Sequence, residues 1–250
     1  SWSPKVPNLI GSSKEKRMCF VDCRGKSLRK AIVASRLAIL FAASCSIRAS
    51  HATESEDAYR QQTNVVYAEA HGVGLLMDIF TPTGESNGQA IVDVISGAWY
   101  SDRGKLRDHQ RAQIFDIFCR HGYTVFAIRP GSVTKFTVPE MVSNVEQGIL
   151  WVKQHAAEYK IAPNQLGLVG ASAGGHLASL VAVANGRSTS EPSRDNASVL
   201  AAGVFFPPTD FLNYGGREID PRSDPGFGVI LKRLAFRDGF DGLSDEQIRD

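Results

Sequence analysis

The sequence predicts an α/β fold: a mostly parallel sheet with helices on both faces and an antiparallel hairpin at its N-terminal edge. Three observations predict it. Strand-like and helix-like patterns alternate from Asn64 onward. The segments NVVYAEA and GLLMDIF alternate apolar and polar residues around His71-Gly72, as the arms of a hairpin do. The chain has 250 residues, 43% apolar and 22% charged, which is a globular balance and excludes a disordered or collagen-like protein.

Each element has its own signal. Residues 89–96 (QAIVDVIS) read as a buried strand, and residues 106–119 as one helix carrying Leu106, Ile114, Phe115 and Phe118. Residues 123–129 (YTVFAIR) are a further strand. Thr137, Pro139 and Glu140 form a helix start, with Thr137 as cap and Glu140 reaching back. The apolar spacing that follows predicts a helix to about Tyr159. Residues 165–170 are a short strand, 174–185 a helix of small residues, and 199–206 an apolar strand. Residues 186–197 are polar and loop-like. Residues 213–228, rich in Gly, Pro, Asp and Arg, read as a loop insertion or lid.

The net charge of +2 hides an asymmetry: residues 1–52 hold ten Lys/Arg against two Asp/Glu, and residues 53–250 hold 18 against 24. An acidic body argues against nucleic acid as a partner. No uncharged apolar run is long enough for a transmembrane span. The N-terminal part reads as a leader. Met18 is the first methionine, so residues 1–17 read as upstream translation. From Met18 a basic stretch (Arg24, Lys26, Arg29, Lys30) precedes an apolar stretch, residues 31–45, broken by Arg36, and Ser50-His51-Ala52 supplies small residues before a cleavage point. This layout predicts a signal peptide over 18–52 and an exported protein whose folded body spans 53–250; a short amphipathic helix is the alternative. Ala43-Ser44-Cys45 also fits a lipoprotein cleavage site, which would anchor the body through Cys45. Of the cysteines, Cys19, Cys23 and Cys45 lie in the leader, so Cys119 is left without a disulfide or Cys-cluster partner.

The chemistry centres on Gly170-Ala171-Ser172-Ala173-Gly174, a G-x-S-x-G pattern between a predicted strand and a predicted helix. A sharp turn there exposes the serine hydroxyl, the glycines leave room for the turn, and the helix N-terminus favours a developing oxyanion. The segment Ser96-Gly97-Ala98-Trp99, after an earlier strand, supplies small residues whose backbone N–H groups can approach the same oxygen.

Together with Gly175-His176 and Pro207-Pro208-Thr209-Asp210, these residues resemble the α/β-hydrolase family of serine esterases, in its acetyl- and feruloyl-esterase or hormone-sensitive-lipase-like branch. The resemblance covers about residues 64–212. It implies Ser172 as nucleophile and the backbone N–H groups of Gly97, Ala98 and Ala173 as the oxyanion hole. The family's H-G-G-G-W loop is altered here: Ile95 and Ser96 stand for its His and first Gly, and Ala98 for its last Gly.

The family orders its triad Ser, Asp or Glu, His. After Ser172 the only histidine is His176, in the first turn of the same helix, where it packs or hydrogen-bonds rather than acting as base. His71, His109, His121 and His155 precede the serine and read as turn or surface residues; Asp210 reads as a loop or cap residue. Ser244-Asp245-Glu246-Gln247 is a capping box that starts a helix just before Asp250. The resemblance therefore implies an α/β-hydrolase fold incomplete at the C-terminus, with acid and histidine beyond Asp250. No metal or phosphate motif is visible, so no cofactor is expected. The expected activity is hydrolysis of a small-molecule or carbohydrate ester, of short-acyl or aryl type, through an acyl-enzyme. A non-catalytic hydrolase-like binding domain and a serine peptidase of the same fold are the alternatives.

Overall fold

The computed structural model describes residues 57–186 and 195–249. The predicted leader over 1–52, including Cys45, lies outside the described residues, as does part of the polar stretch 186–197.

The N-terminal hairpin pairs β1 (Tyr59–Ala70) with β2 (Val73–Pro82), Ala70 opposite Val73. His71 and Gly72 turn it, with φ of +52° and +71°. A two-residue turn with two left-handed residues matches the twist of the flanking strands. β2 runs antiparallel to β4 (Thr124–Arg129), and β3 (Ala90–Val94) lies parallel between β4 and β5 (Leu166–Ala171). β6 (Ala201–Phe205) adds in parallel to β5, giving the order β1-β2-β4-β3-β5-β6.

Side-chain alternation divides the sheet between two cores. Ala90, Val92 and Val94 point with Leu166 and Leu168 toward one face; Ile91 and Val169 join Ile95 on the other. The first core is covered by α3 (Val138–Gln154) and α4 (Ala173–Gly186), the second by α1 (Arg103–Arg111) and α2 (Ile114–Arg120). Helices thus cover both faces, as expected.

The single helix predicted over 106–119 is two. Gln113 sits at φ +60° between α1 and α2. Leu106 and Phe115 are both buried, yet at roughly 100° per residue a straight helix would put them about 180° apart. The break turns both toward the sheet. α3 starts as read, with the Thr137 N–H and hydroxyl both donating to Glu140 Oε2 at 2.8 and 2.9 Å. It ends at Gln154, earlier than predicted, where His155 stacks on Trp151 and bonds to its carbonyl oxygen at 2.8 Å.

The predicted lid over 213–228 is instead structured. β7 (Asn213–Tyr214) and β8 (Arg217–Glu218) form a small hairpin, and α5 (Phe227–Ala235) begins inside the segment. Asp224 Oδ1 accepts from the N–H groups of Gly226, Phe227 and Gly228, which steadies the start of α5. α6 (Asp245–Arg249) carries the capping box: the Ser244 N–H donates to Gln247 Oε1 at 2.9 Å, and the Gln247 N–H to Ser244 Oγ at 3.2 Å. Among the described residues no helix is long and apolar enough to cross a membrane.

Candidate active site

Ser172 occupies the single-residue turn between β5 and α4, with φ +51°. A non-glycine residue in the left-handed region costs roughly 1–2 kcal/mol, so the surroundings must hold it there. They do so through backbone. The Ser172 N–H donates to the Phe205 carbonyl at the end of β6 at 2.9 Å. The Gly174 N–H donates to the Ser96 carbonyl at 3.0 Å. A Cβ on Gly170 would collide with the Gly174 carbonyl, and one on Gly174 with the Val94 carbonyl. The turn therefore needs both glycines.

The loop after β3 is a second strained turn. Gly97 and Tyr100 exchange both backbone hydrogen bonds, at 2.9 and 3.0 Å, around Ala98 at φ +48° and Trp99 at φ +59°. The Gly97 N–H, expected to serve an oxyanion, is thus already bonded to the Tyr100 carbonyl. The Ala98 N–H has no partner among the described residues; nor does the N–H of Ala173 at the start of α4. The half-exposed Ser172 hydroxyl likewise has no hydrogen-bond partner among the described residues. The N-terminus of α4 adds its positive end to this position.

Trp99 is buried. Its carbonyl accepts from the Val133 N–H at 2.8 Å, and its indole N–H donates to His176 Nδ1 at 3.3 Å. The rings of Phe211 and Phe227 close around it, 5.7 and 6.2 Å away between centroids. Burial lowers the His176 pKa to about 4, so the ring is neutral near pH 7. With Nδ1 accepting, the proton sits on Nε2.

Residues 77–228, from β2 to the start of α5, match the BD-FAE family model. The chain belongs to the BD-FAE family. The matched span contains Ser172, Ala98, Trp99, Ala173 and His176. Curated relatives agree. The chain is 28% identical over 158 residues to the probable carboxylic ester hydrolase LipM of Mycobacterium tuberculosis, a match covering 61% of this chain and 36% of LipM. It is 35% identical over 136 residues to the acetylxylan esterase of Xylanibacter ruminicola, covering 52% and 25% of the two chains. The chain thus spans about a third or less of the length of these relatives. A truncated form of a carbohydrate esterase from gut microbiota shares the fold, with a TM-score of 0.59 at 23% identity, covering 73% of this chain and 68% of that one. The fold is that of the α/β-hydrolases.

Within this BD-FAE chain, the structure corrects one histidine. His109 is not a surface residue. It is buried on α1, with Nδ1 2.7 Å from Oδ2 of the fully buried Asp93 on β3. Burial raises the Asp93 pKa, partly opposed by the His109 bond and charge. For His109 burial lowers the pKa, but the Asp93 hydrogen bond and charge, helped by Asp108, outweigh it and raise it overall. The signal was present in the sequence: an acidic residue amid QAIVDVIS must find a partner if that strand is buried. His109 lines a cavity of about 600 Å³ that Ser172 also lines, walled by Ile114, Phe118 and Phe205.

The remaining candidates keep structural roles. Asp210 is exposed, and its Oδ1 accepts from the Leu212 and Asn213 N–H groups at 3.0 and 2.9 Å. Glu140 caps α3 and also meets His71 and Arg237. Among the described residues no cluster of His, Cys, Asp and Glu could hold a metal.

Proposed function

We propose that the chain acts as a serine carboxylic-ester hydrolase with Ser172 as nucleophile. Ser172 Oγ adds to the ester carbonyl while its proton passes to a base. The carbonyl oxygen becomes an oxyanion between the Ala98 and Ala173 N–H groups. The C–O bond to the alcohol then breaks, the alcohol takes a proton, and an acyl-enzyme remains for water to hydrolyse. The observation that carries this reading is Ser172 itself: a strained, non-glycine residue at φ +51° between β5 and α4, followed directly by the unpaired N–H of Ala173 at the start of α4. The names of the curated relatives support ester substrates, with acetyl groups on carbohydrate as one class. The order of basic, apolar and small residues over 18–52 supports export.

A fluorophosphonate probe tests the reading on the protein that carries this chain. The expected result is one labelled peptide containing Ser172, lost in Ser172→Ala. No labelling would favour a hydrolase-like binding domain instead.

A further inference from the structure

We propose that His176 is a positioning residue: by accepting the Trp99 indole N–H it holds the Ala98–Trp99 turn against the nucleophile helix. This rests on the esterase reading and deepens it. The turn has two successive non-glycine residues in the left-handed region, so it persists only where its surroundings over-determine it. Its anchors are distinct. The Gly97–Tyr100 pair closes the turn upon itself, and Val133 ties the Trp99 carbonyl to the segment after β4. Neither refers the turn to Ser172, and the Gly174 N–H bond to the Ser96 carbonyl holds the loop only up to the residue before Gly97. The indole–imidazole bond does, because His176 lies on α4 four residues after the serine, with its own N–H bonded to the Ser172 carbonyl at 2.9 Å. The donor that the turn presents, Ala98 N–H, immediately precedes Trp99 in the chain.

Packing alone does not account for a histidine here. The site is an aromatic nest, with Phe211 4.9 Å and Trp99 5.8 Å from the imidazole between ring centroids. A Phe or Leu would fill such a space. What they lack is an acceptor for the one polar atom of Trp99, which is 3% exposed and would otherwise be buried unpaired.

The test compares His176→Phe, which keeps an aromatic ring, with His176→Asn, whose Oδ1 stands where Nδ1 stood. Two readouts are taken on the protein that carries this chain. One is the Trp99 indole N–H resonance, assigned by its loss in Trp99→Phe. The other is fluorophosphonate labelling, split into probe affinity and maximal rate. The expected result is a shifted indole resonance and a maximal rate lowered about 10- to 100-fold in His176→Phe. His176→Asn should restore both to within about threefold. Trp99→Phe, which removes the donor from the other side, should slow labelling to the same extent and serves if His176→Phe does not fold. Equal rates in the wild type, His176→Phe and Trp99→Phe would overturn the proposal while leaving the esterase reading intact. Failure of the wild type to label would overturn the esterase reading and this proposal with it.

Discussion

The Gly174 N–H donates to the Ser96 carbonyl at 3.0 Å, fastening the first turn of α4 to the loop that leaves β3. Two segments 78 positions apart thereby form one backbone unit around Ser172. The approach is so close that a Cβ on Gly174 would overlap the Val94 carbonyl. Gly174→Ala should therefore destabilise by about 3 kcal/mol, at the upper end for overpacking, because backbone rather than a movable side chain is in the way. Urea unfolding measures this; a loss below about 1 kcal/mol would mean the contact is not so tight.

Ser172 stores strain at φ +51°. Ser172→Gly should be more stable than Ser172→Ala by about 1 kcal/mol, since glycine adopts the left-handed region without a Cβ clash. Both should lose labelling. Equal stability of the two variants would show that the turn relaxes once the hydroxyl is gone.

Asp78 is a buried charge that joins three elements. Its carboxylate accepts from Arg103 at 2.8 Å, Arg129 at 3.3 Å, Gln61 at 2.8 Å and the Asn64 N–H at 3.1 Å. Burial pulls the Arg129 pKa down while the Asp78 charge opposes it. Asp78→Ala should cost about 3–5 kcal/mol, because it leaves Arg129 buried and uncompensated. Denaturant midpoints of Asp78→Ala and of the double variant Asp78→Ala with Arg129→Met test this; the double variant should recover part of the loss.

His176 makes stability fall with acid. Its pKa is about 4 when folded against an ordinary value of 6.5. Above pH 6.5 neither state is protonated there and the group contributes nothing. Between pH 6.5 and 4 the unfolded chain takes up a proton that the folded one refuses, so stability drops, by at most about 3 kcal/mol at pH 4. Glu140 acts in a lower window. Burial would raise its pKa, but the bonds from Thr137 and His71 and the charge of Arg237 bring it to about 2 from 4.5. Its contribution is present above pH 4.5 and disappears as pH falls through 2. Urea midpoints at pH 7.5, 6 and 5 should decline in the wild type and less steeply in His176→Asn; parallel slopes would contradict the assignment.

Cys119 is buried, with its thiol facing the Phe80 carbonyl at 3.6 Å and its pKa pushed up to about 12, mainly by burial with Asp116 adding. The native protein should leave this thiol unmodified by a thiol-specific disulfide reagent at pH 8, and urea should release it. Rapid native modification would show that α2 opens readily.

The sequence by itself determined what rests on neighbours in the chain. The hairpin at His71-Gly72, the Thr137–Glu140 and Ser244–Gln247 capping boxes, and the strand–turn–helix around Ser172 each depend on residues within a few positions of one another, so pattern and steric demand reveal them directly. Only the tertiary structure decided the rest. The break at Gln113 answers to two burial demands that a straight helix cannot meet together. The occupied Gly97 N–H depends on how tightly the loop closes on Tyr100. Asp93 and His109 are 16 positions apart, Trp99 and His176 are 77, and nothing in their local sequence names the partner. A buried donor or charge must be satisfied, but which atom satisfies it is settled only when the sheet brings distant segments together.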